Sequence, residues 1–315
     1  MLKFGIHTLE GLRADLAGRP GRRVRQVAIP LLSVIGDEPD SDKLRERVLL
    51  ELADDRGAYK RTYRKRFDVF DEKAGELIRD RFSCDRPLTV LDCGISDGRT
   101  AVDFFQTLAE AFYELKYLGT DYDPFVKAVR DGAVTVVFSS KNEPIQLIRP
   151  PFVFNLKQIE LERWSRYPVN RILVGALRRR HVPAMLKQIE ESHSGGTIAL
   201  FSDLATKLAA HDQRFCLDSY DVLQSPPGRY DVIRMMNLLN PTYFSEAEFD
   251  RIIANVRNGL VDGGLFVIGS NHDAGTEVAG GIYSFKNSRF TRLMENRLAP
   301  QVKAAIDRVA ASPVR

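Results

Sequence analysis

The run Val90-Leu91-Asp92-Cys93-Gly94-Ile95-Ser96-Asp97-Gly98-Arg99-Thr100 concentrates the residue types that do chemistry. It reads as an apolar strand running into a glycine-rich turn, with a helix beginning at about Arg99. Glycines let such a turn close tightly and approach a ligand, and the first turn of a helix presents unpaired N–H groups. A dinucleotide fold wants G-x-G-x-x-G. Here the third element falls one residue early, and Arg99 stands at the required glycine. The nucleophile elbow of a serine hydrolase wants G-x-S-x-G, which Gly94-Ile95-Ser96-Asp97-Gly98 matches letter for letter. Its triad would run Ser96, an acid such as Asp262, then His272. That reading leaves Asp92 and the acidic turn one helix later without a part, and no HGGG-like oxyanion segment stands upstream.

S-adenosylmethionine binding is the third chemistry, and it uses both acids. The cofactor carries an amino group, a carboxylate and a ribose. Asp92 would lie near the amino-acid end, directly or through water, and backbone N–H groups of residues 94–98 (Gly94, Ser96 and Gly98 among them) would meet the cofactor. Asp121, one helix later, would accept hydrogen bonds from both ribose hydroxyls, as carboxylates do for nucleotide ribose. The plain alternative is that Asp92 and Asp121 only cap turns.

The elements that must position these residues follow from pattern. Leu88–Cys93 has the look of a buried parallel strand. A helix follows from about Arg99 to Leu115, then a strand Tyr117–Asp121 and a helix to about Arg130. This alternation predicts an α/β fold, a doubly wound Rossmann-like sheet. Further strands are expected at Val134–Phe138, Phe152–Phe154, Phe215–Leu217, Tyr230–Met235 and Gly264–Gly269. A terminal antiparallel hairpin is expected at Ile282–Phe285 and Phe290–Leu293, and a last helix over about Pro300–Ala310. Asn170 can cap a helix Ile172–Arg180, and Pro183 can start another. Ser245 with Glu248 forms a capping-box pattern ahead of a helix that Gly259 stops. Residues 1–87 read as a helical amino-terminal extension: Ser41 or Asp42 caps a helix through Leu52, and Tyr59, Tyr63, Phe67, Phe70, Ala74, Leu77 and Ile78 line one face of a long one. The expected organisation is that extension, then a cofactor domain over 88–315 with an inserted segment at about 133–212.

In this order the motifs resemble the CheR-type chemotaxis-receptor glutamate methyltransferases, which are class I methyltransferases. Ser96 stands where that family has Ser in its first turn, and Thr120-Asp121-Tyr122-Asp123 matches its T-D-x-D motif. Asp221-Val222-Leu223 fits the segment that meets the adenine. Tyr230-Asp231-Val232-Ile233 through Asn237, then Tyr243-Phe244 and Asp262-Gly263-Gly264-Leu265-Phe266, complete the order across roughly residues 88–272. The resemblance implies that Tyr122 sits beside the ribose acid, that Asp221 and Val222 border the adenine, and that Asn237 supports the cofactor's reactive end. Several positions depart from the family. Arg99-Thr100 replaces acidic residues, Met236 replaces the Arg before the Asn, the Asn and the Tyr-Phe pair are two residues further apart, and the stretch from Arg130 to Phe215 is longer. The family's receptor-binding domain is not recognisable in residues 1–87. These departures touch the acceptor side, so the acceptor stays open between small molecule and protein, with a carboxylate or other oxygen favoured by the resemblance. A non-catalytic, cofactor-binding relative also stays open.

Methyl transfer needs an acceptor held about 3 to 3.5 Å from the methyl group, and a carboxylate acceptor needs no general base. His7, His181, His193, His211 and His272 show no ligand spacing, and no metal site is expected. Tyr243 can line an acceptor pocket or belong to the core. Residues 56–66 hold six basic residues with Tyr59 and Tyr63 interleaved, and the tyrosines continue an apolar helix face, so core packing accounts for them. Net charge is +4, from 46 basic against 42 acidic residues, which gives no strong nucleic-acid signal. Three separated cysteines exclude a disulfide scaffold. No apolar run reaches the roughly 18 to 20 residues of a membrane span, and no leader pattern appears, so a cytoplasmic enzyme is expected.

Overall fold

The computed structural model describes residues 4–18, 26–50, 52, 62–156, 168–192, 196–271 and 277–311. The chain forms two units, each assembled from two separate stretches: residues 1–61 with 123–203, and residues 62–122 with 204–315.

The second unit holds the doubly wound sheet. Its strands are β1 (Leu88–Cys93), β2 (Leu115–Asp121), β8 (Phe215–Ser219), β9 (Tyr230–Met236), β10 (Leu260–Ser270), β11 (Ala279–Lys286) and β12 (Arg289–Asn296). Their spatial order is β12-β11-β10-β9-β1-β2-β8. The five strands from β8 to β10 are parallel, and β11 and β12 add the expected antiparallel hairpin. Side chains alternate across β1 and β9 because successive residues of a strand point to opposite faces. Leu91, Cys93, Ile233 and Met235 join one apolar cluster with Phe249, Ile252 and Val256 of α7 (Glu246–Gly259) and Val302 and Ile306 of α8 (Pro300–Ala311). The Ser245–Glu248 capping box at the head of α7 is present, and Gly259 is its last residue. α3 (Asp68–Arg81), α4 (Arg99–Ala109) and, from Leu204 on, α6 (Asp203–His211) belong to the same unit. A Cβ on Gly75 of α3 would stand 2.9 Å from Thr107 Cγ2 of α4, so the glycine permits their close crossing. The boundary expected at residue 87 therefore falls between α3 and β1 of one unit.

The first unit is a five-stranded antiparallel sheet of order β6-β5-β4-β3-β7: β3 (Phe125–Asp131), β4 (Val134–Phe138), β5 (Pro144–Arg149), β6 (Phe152–Asn155) and β7 (Gly196–Ala199). Val136, Phe138, Leu147 and Phe154 face Val174, Leu177, Met185 and Ile189 of α5 (Pro168–Ser192). Val126, Val137, Ile148 and Val153 share the other cluster with Leu12 of α1 (Leu9–Leu16), Ile29 and Leu32 of a 3₁₀ turn, and Leu44 and Val48 of α2 (Ser41–Leu49). Gln146, fully buried, fixes the amino-terminal stretch to this sheet: its Oε1 accepts from Ile29 N at 2.8 Å, and its Nε2 donates to Val27 O at 2.9 Å.

Four local expectations are corrected. The segment to Arg130, expected as a helix, is β3, because Val126 and Val129 gain partners in β4 and β7 that a surface helix would not supply. The helices expected on either side of Pro183 are one helix, α5, held across the lost N–H bond by burial of Val174 and Leu177 before it and Met185 and Ile189 after it. Ser41 does not cap α2; its hydroxyl donates to Asp203 at 3.1 Å. The long helix expected from Tyr59 begins at Asp68, and Tyr63 is 50% exposed rather than core. Tyr59, His193 and His272 lie outside the described residues. No helix among the described residues is long and apolar enough to cross a membrane.

Candidate functional site

In a doubly wound sheet, ligands bind at the carboxyl edge where the strand order reverses. Here the chain runs from β1 outward to β2 and β8, then returns to β9 and β10 on the other side, so the reversal lies between β1 and β9. The turn after β1 stands at that point. Gly94, Ser96 and Gly98 have φ of 72°, 59° and 85°, and Gly98 directly precedes α4. The glycines are needed for this backbone, because an L side chain is strained in the left-handed region. At Gly94 there is a second reason: a Cβ would stand 3.0 Å from Leu238 Cδ1, so a side chain of the protein itself already occupies that approach.

The turn is stitched to the end of β2. Gly94 N and Ile95 N both donate to Thr120 O, at 2.8 and 3.1 Å, and Thr120 Oγ1 donates to Asp92 O at 3.1 Å. Asp121 closes the arrangement: its Oδ2 accepts from Ser96 N at 2.7 Å, and its carbonyl accepts from Tyr220 N at 2.9 Å. The acid and the turn that the ribose reading requires to be adjacent are thus in direct contact. Tyr122 follows Asp121, half-buried. After β8, Asp221 Oδ1 accepts from Leu223 N at 3.0 Å, Val222 is buried, and Asn255 Nδ2 donates to Val222 O at 2.9 Å.

Asn237 follows β9 at the same edge, with φ 54°. It forms a reciprocal pair with Asn271 beyond β10: Asn237 Nδ2 donates to Asn271 Oδ1 at 3.0 Å, and Asn271 N donates to Asn237 Oδ1 at 2.9 Å. Arg66 Nε also donates to Asn271 Oδ1, at 2.8 Å. Arg64 pairs with Asp103, whose other oxygen accepts from Lys65 N at 2.6 Å. The described part of the basic run 56–66 is therefore tied to α4 and to this edge.

Asp92 is placed elsewhere than the cofactor reading puts it. It is 1% exposed, and its carboxylate lies on the face of the sheet opposite Leu91 and Cys93, where Arg234 meets Asp71 of α3 and Phe104 of α4. Arg234 stands opposite it in the β1–β9 register, and Nη1 donates to Asp92 Oδ2 at 2.8 Å. Tyr117 Oη donates to the same oxygen. Arg234 also grips Asp71 of α3, with Nη2 donating to both carboxylate oxygens at 3.0 and 2.9 Å. Phe104 covers the guanidinium, 4.7 Å from its carbon to the ring centroid. Burial raises the Asp92 carboxyl, with Arg234 opposing it, and burial pushes Asp71 up to about 7. Sequence reasoning passed over Asp71, Tyr117 and Arg234. For Asp71 and Arg234 the signal was a charge standing where the apolar period of a helix or strand asks for a hydrophobe.

The hydrolase elbow finds part of its geometry. Ser96 has the left-handed backbone of an exposed nucleophile turn, and its buried Oγ has no hydrogen-bond partner among the described residues. Asp262, however, lies near the start of β10, ahead of Leu265, which is level with Val232 and through it with Val90. It sits at the amino edge, opposite the turn, where Asn287 N donates to it at 2.7 Å. Asp231 occupies the same amino edge, accepting from Thr89 N and Oγ1, both at 2.8 Å.

No protein-family model and no curated protein matches this sequence. Among solved structures, the chain is similar to an S-adenosylmethionine-dependent methyltransferase from Clostridium acetobutylicum, at 8% identity over 79% of this chain and 80% of that one, TM-score 0.36. It is similar to the pyocyanin biosynthetic protein PhzM, at 13% identity over 96% and 61%, TM-score 0.34. A third is the cyclase SpnF, at 13% identity over 76% and 56%, TM-score 0.32. The chain spans about half the length of some of these structures, 56% of SpnF and 50% of the mitomycin 7-O-methyltransferase MmcR.

Proposed function

We propose that the chain is an S-adenosylmethionine-dependent methyltransferase. One observation carries the reading: the Gly94–Gly98 turn lies at the reversal of a doubly wound sheet with the Asp121 carboxylate hydrogen-bonded to it at 2.7 Å. A carboxylate accepts at two oxygens with about four lone-pair sites, and the bond from Ser96 N orients the Asp121 carboxylate at the turn, where a ribose diol would meet it. The buried Ser96 Oγ, which has no hydrogen-bond partner among the described residues, adds a polar atom to the turn that Asp121 holds. These residues fit the cofactor at its ribose end.

The bound cofactor would supply an electrophilic methyl group; the protein's part is to hold and orient. Asp121 would take the ribose, and the 94–98 turn would pass beneath the methionine portion. Asp221 and Val222 would border the adenine, with Tyr122 beside the ribose. Asn237, fixed by Asn271, would stand near the reactive end. Asp92 acts from below the turn through Arg234 rather than on the ligand. The CheR-type resemblance favours a carboxylate or other oxygen as acceptor, for which no base is required. Titration calorimetry with S-adenosylhomocysteine tests the reading. Binding is expected for the wild type and for Ser96→Ala, and loss of it for Asp121→Ala. A wild type that binds neither the methyl donor nor its product refutes it, and labelling of Ser96 by a fluorophosphonate moves the assignment to the hydrolase.

A further inference from the structure

We propose that Asp71, Arg234 and Asp92 form a protonation-sensitive strut that positions the Gly94–Gly98 turn, which loosens when the cluster loses its proton. The consequence for cofactor affinity rests on the methyltransferase reading; the strut itself does not.

The three groups come from α3, β9 and β1 and are 3%, 1% and 1% exposed. With both carboxylates ionised, the cluster would hold a net negative charge in a dry interior. Among the described residues, none that acts on Asp71 or Asp92 adds a second buried cation to Arg234. Tyr117 of β2 is neutral, its phenol pushed up by burial and by Asp92. Phe104 of α4 and Phe67, ahead of α3, give the guanidinium only ring faces, at 4.7 and 5.5 Å. Asp103 of α4 adds a further negative field at Asp71, partly answered by Arg64. An uncompensated buried charge costs several kcal/mol, so the cluster retains a proton, and Asp71 is the carboxyl pushed up to about 7 by burial.

Loss of that proton sets two carboxylates against each other across one guanidinium. Asp92 is two residues from Gly94, and its carbonyl takes the Thr120 hydroxyl at 3.1 Å. The Thr120 carbonyl in turn takes the Gly94 and Ile95 amides. A shift of Asp92 therefore passes into the turn through main chain and a two-bond stitch. Asp71 and Arg234 are positioning residues, since neither lies at the carboxyl edge.

Hydrogen exchange read by mass spectrometry tests this directly. After correction for intrinsic exchange, protection of the 94–99 amides in the wild type is expected to fall about five-fold or more between roughly pH 6 and pH 8. It should be flat in Asp71→Asn, whose amide stands for the protonated carboxyl. A flat wild-type profile overturns the proposal and needs no variant; an unchanged slope in a folded Asp71→Asn overturns it as well. S-adenosylhomocysteine titrations over the same range should weaken in parallel in the wild type and stay level in Asp71→Asn. If the amides respond and the ligand binds equally at every pH, the link to affinity is refuted. If the amides respond and nothing binds, the strut is supported and the methyltransferase reading fails.

Discussion

Arg234 and Asp92 stand level on adjacent parallel strands, and their side chains meet at 2.8 Å on the sheet face that α3 and α4 cover, each 1% exposed. A strand acid that reads as a cofactor ligand is thereby turned into the anchor of a buried cation. The charged residue of α3 that completes the pairing, Asp71, precedes the sheet in sequence and meets Arg234 at 2.9 Å in space.

Removing the cation is expected to be costly. Arg234→Met leaves two buried carboxylates without their partner, a change worth about 3 to 5 kcal/mol where single members of buried pairs are deleted. Urea unfolding should show the midpoint falling with little change in slope. Asp92→Asn should cost less, because Arg234 keeps its three bonds to Asp71. A loss below about 1 kcal/mol for Arg234→Met would place the cluster among surface-like pairs.

Stability should fall as pH rises toward neutrality. Asp71 is raised from 3.8 to about 7 by burial, so the folded chain holds its proton more tightly than the unfolded one. That contribution is complete below the unfolded value and disappears as pH passes through about 7. The expected loss is on the order of 2 to 4 kcal/mol across that window. Denaturant midpoints measured at intervals through it should decline in the wild type and hold level in Asp71→Asn.

Asp121→Asn separates binding from folding. The amide oxygen can still accept from Ser96 N, so stability should change by less than about 1 kcal/mol. The charge that would strengthen bonds to the proposed ribose hydroxyls is gone, and calorimetry should show S-adenosylhomocysteine binding at least about ten-fold weaker. Equal affinities would remove Asp121 from the site.

Asp231 provides the opposite contrast. Asp231→Ala removes its bonds to Thr89 N, Thr89 Oγ1 and Arg86 at the amino edge of β1. Thermal or urea unfolding should register about 2 to 3 kcal/mol. The proposed ligand edge lies at the other end of the strand, so the S-adenosylhomocysteine dissociation constant should stay within about two-fold of the wild type.

The parallel sheet was readable in sequence because β1, β2, β9 and β10 are short apolar runs broken by turn residues, and α7 carries a complete capping box. Tertiary pairing decided what local pattern left open. Phe125–Asp131 has no helical or strand period strong enough to stand alone, and the neighbours β4 and β7 made it a strand. At the site, Gly94, Ser96, Gly98 and Asp121 announce themselves by spacing, since one turn and one helix set where they meet. Asp92 has the same spacing, but its direction depends on which face of β1 carries a cation, and Arg234 lies 142 positions later. A lone arginine inside Tyr230–Met236 and an aspartate on the apolar face of α3 were the visible traces of that partner.

The two units exchange chain twice, at residues 61–62 and 122–123, before the second resumes at 204. Neither can finish folding as the polypeptide emerges in order: the amino-terminal stretch waits for strands encoded through residue 199, and β1 waits for Arg234. Such sequence-distant pairing slows folding and leaves apolar faces open in the interval. A fragment cut at the apparent start of the sheet, from residue 87 onward, would lose Asp71 with α3 and strand the arginine on a single carboxylate. The protein's natural pieces are interleaved, and genetic dissection that respects linear order would divide both.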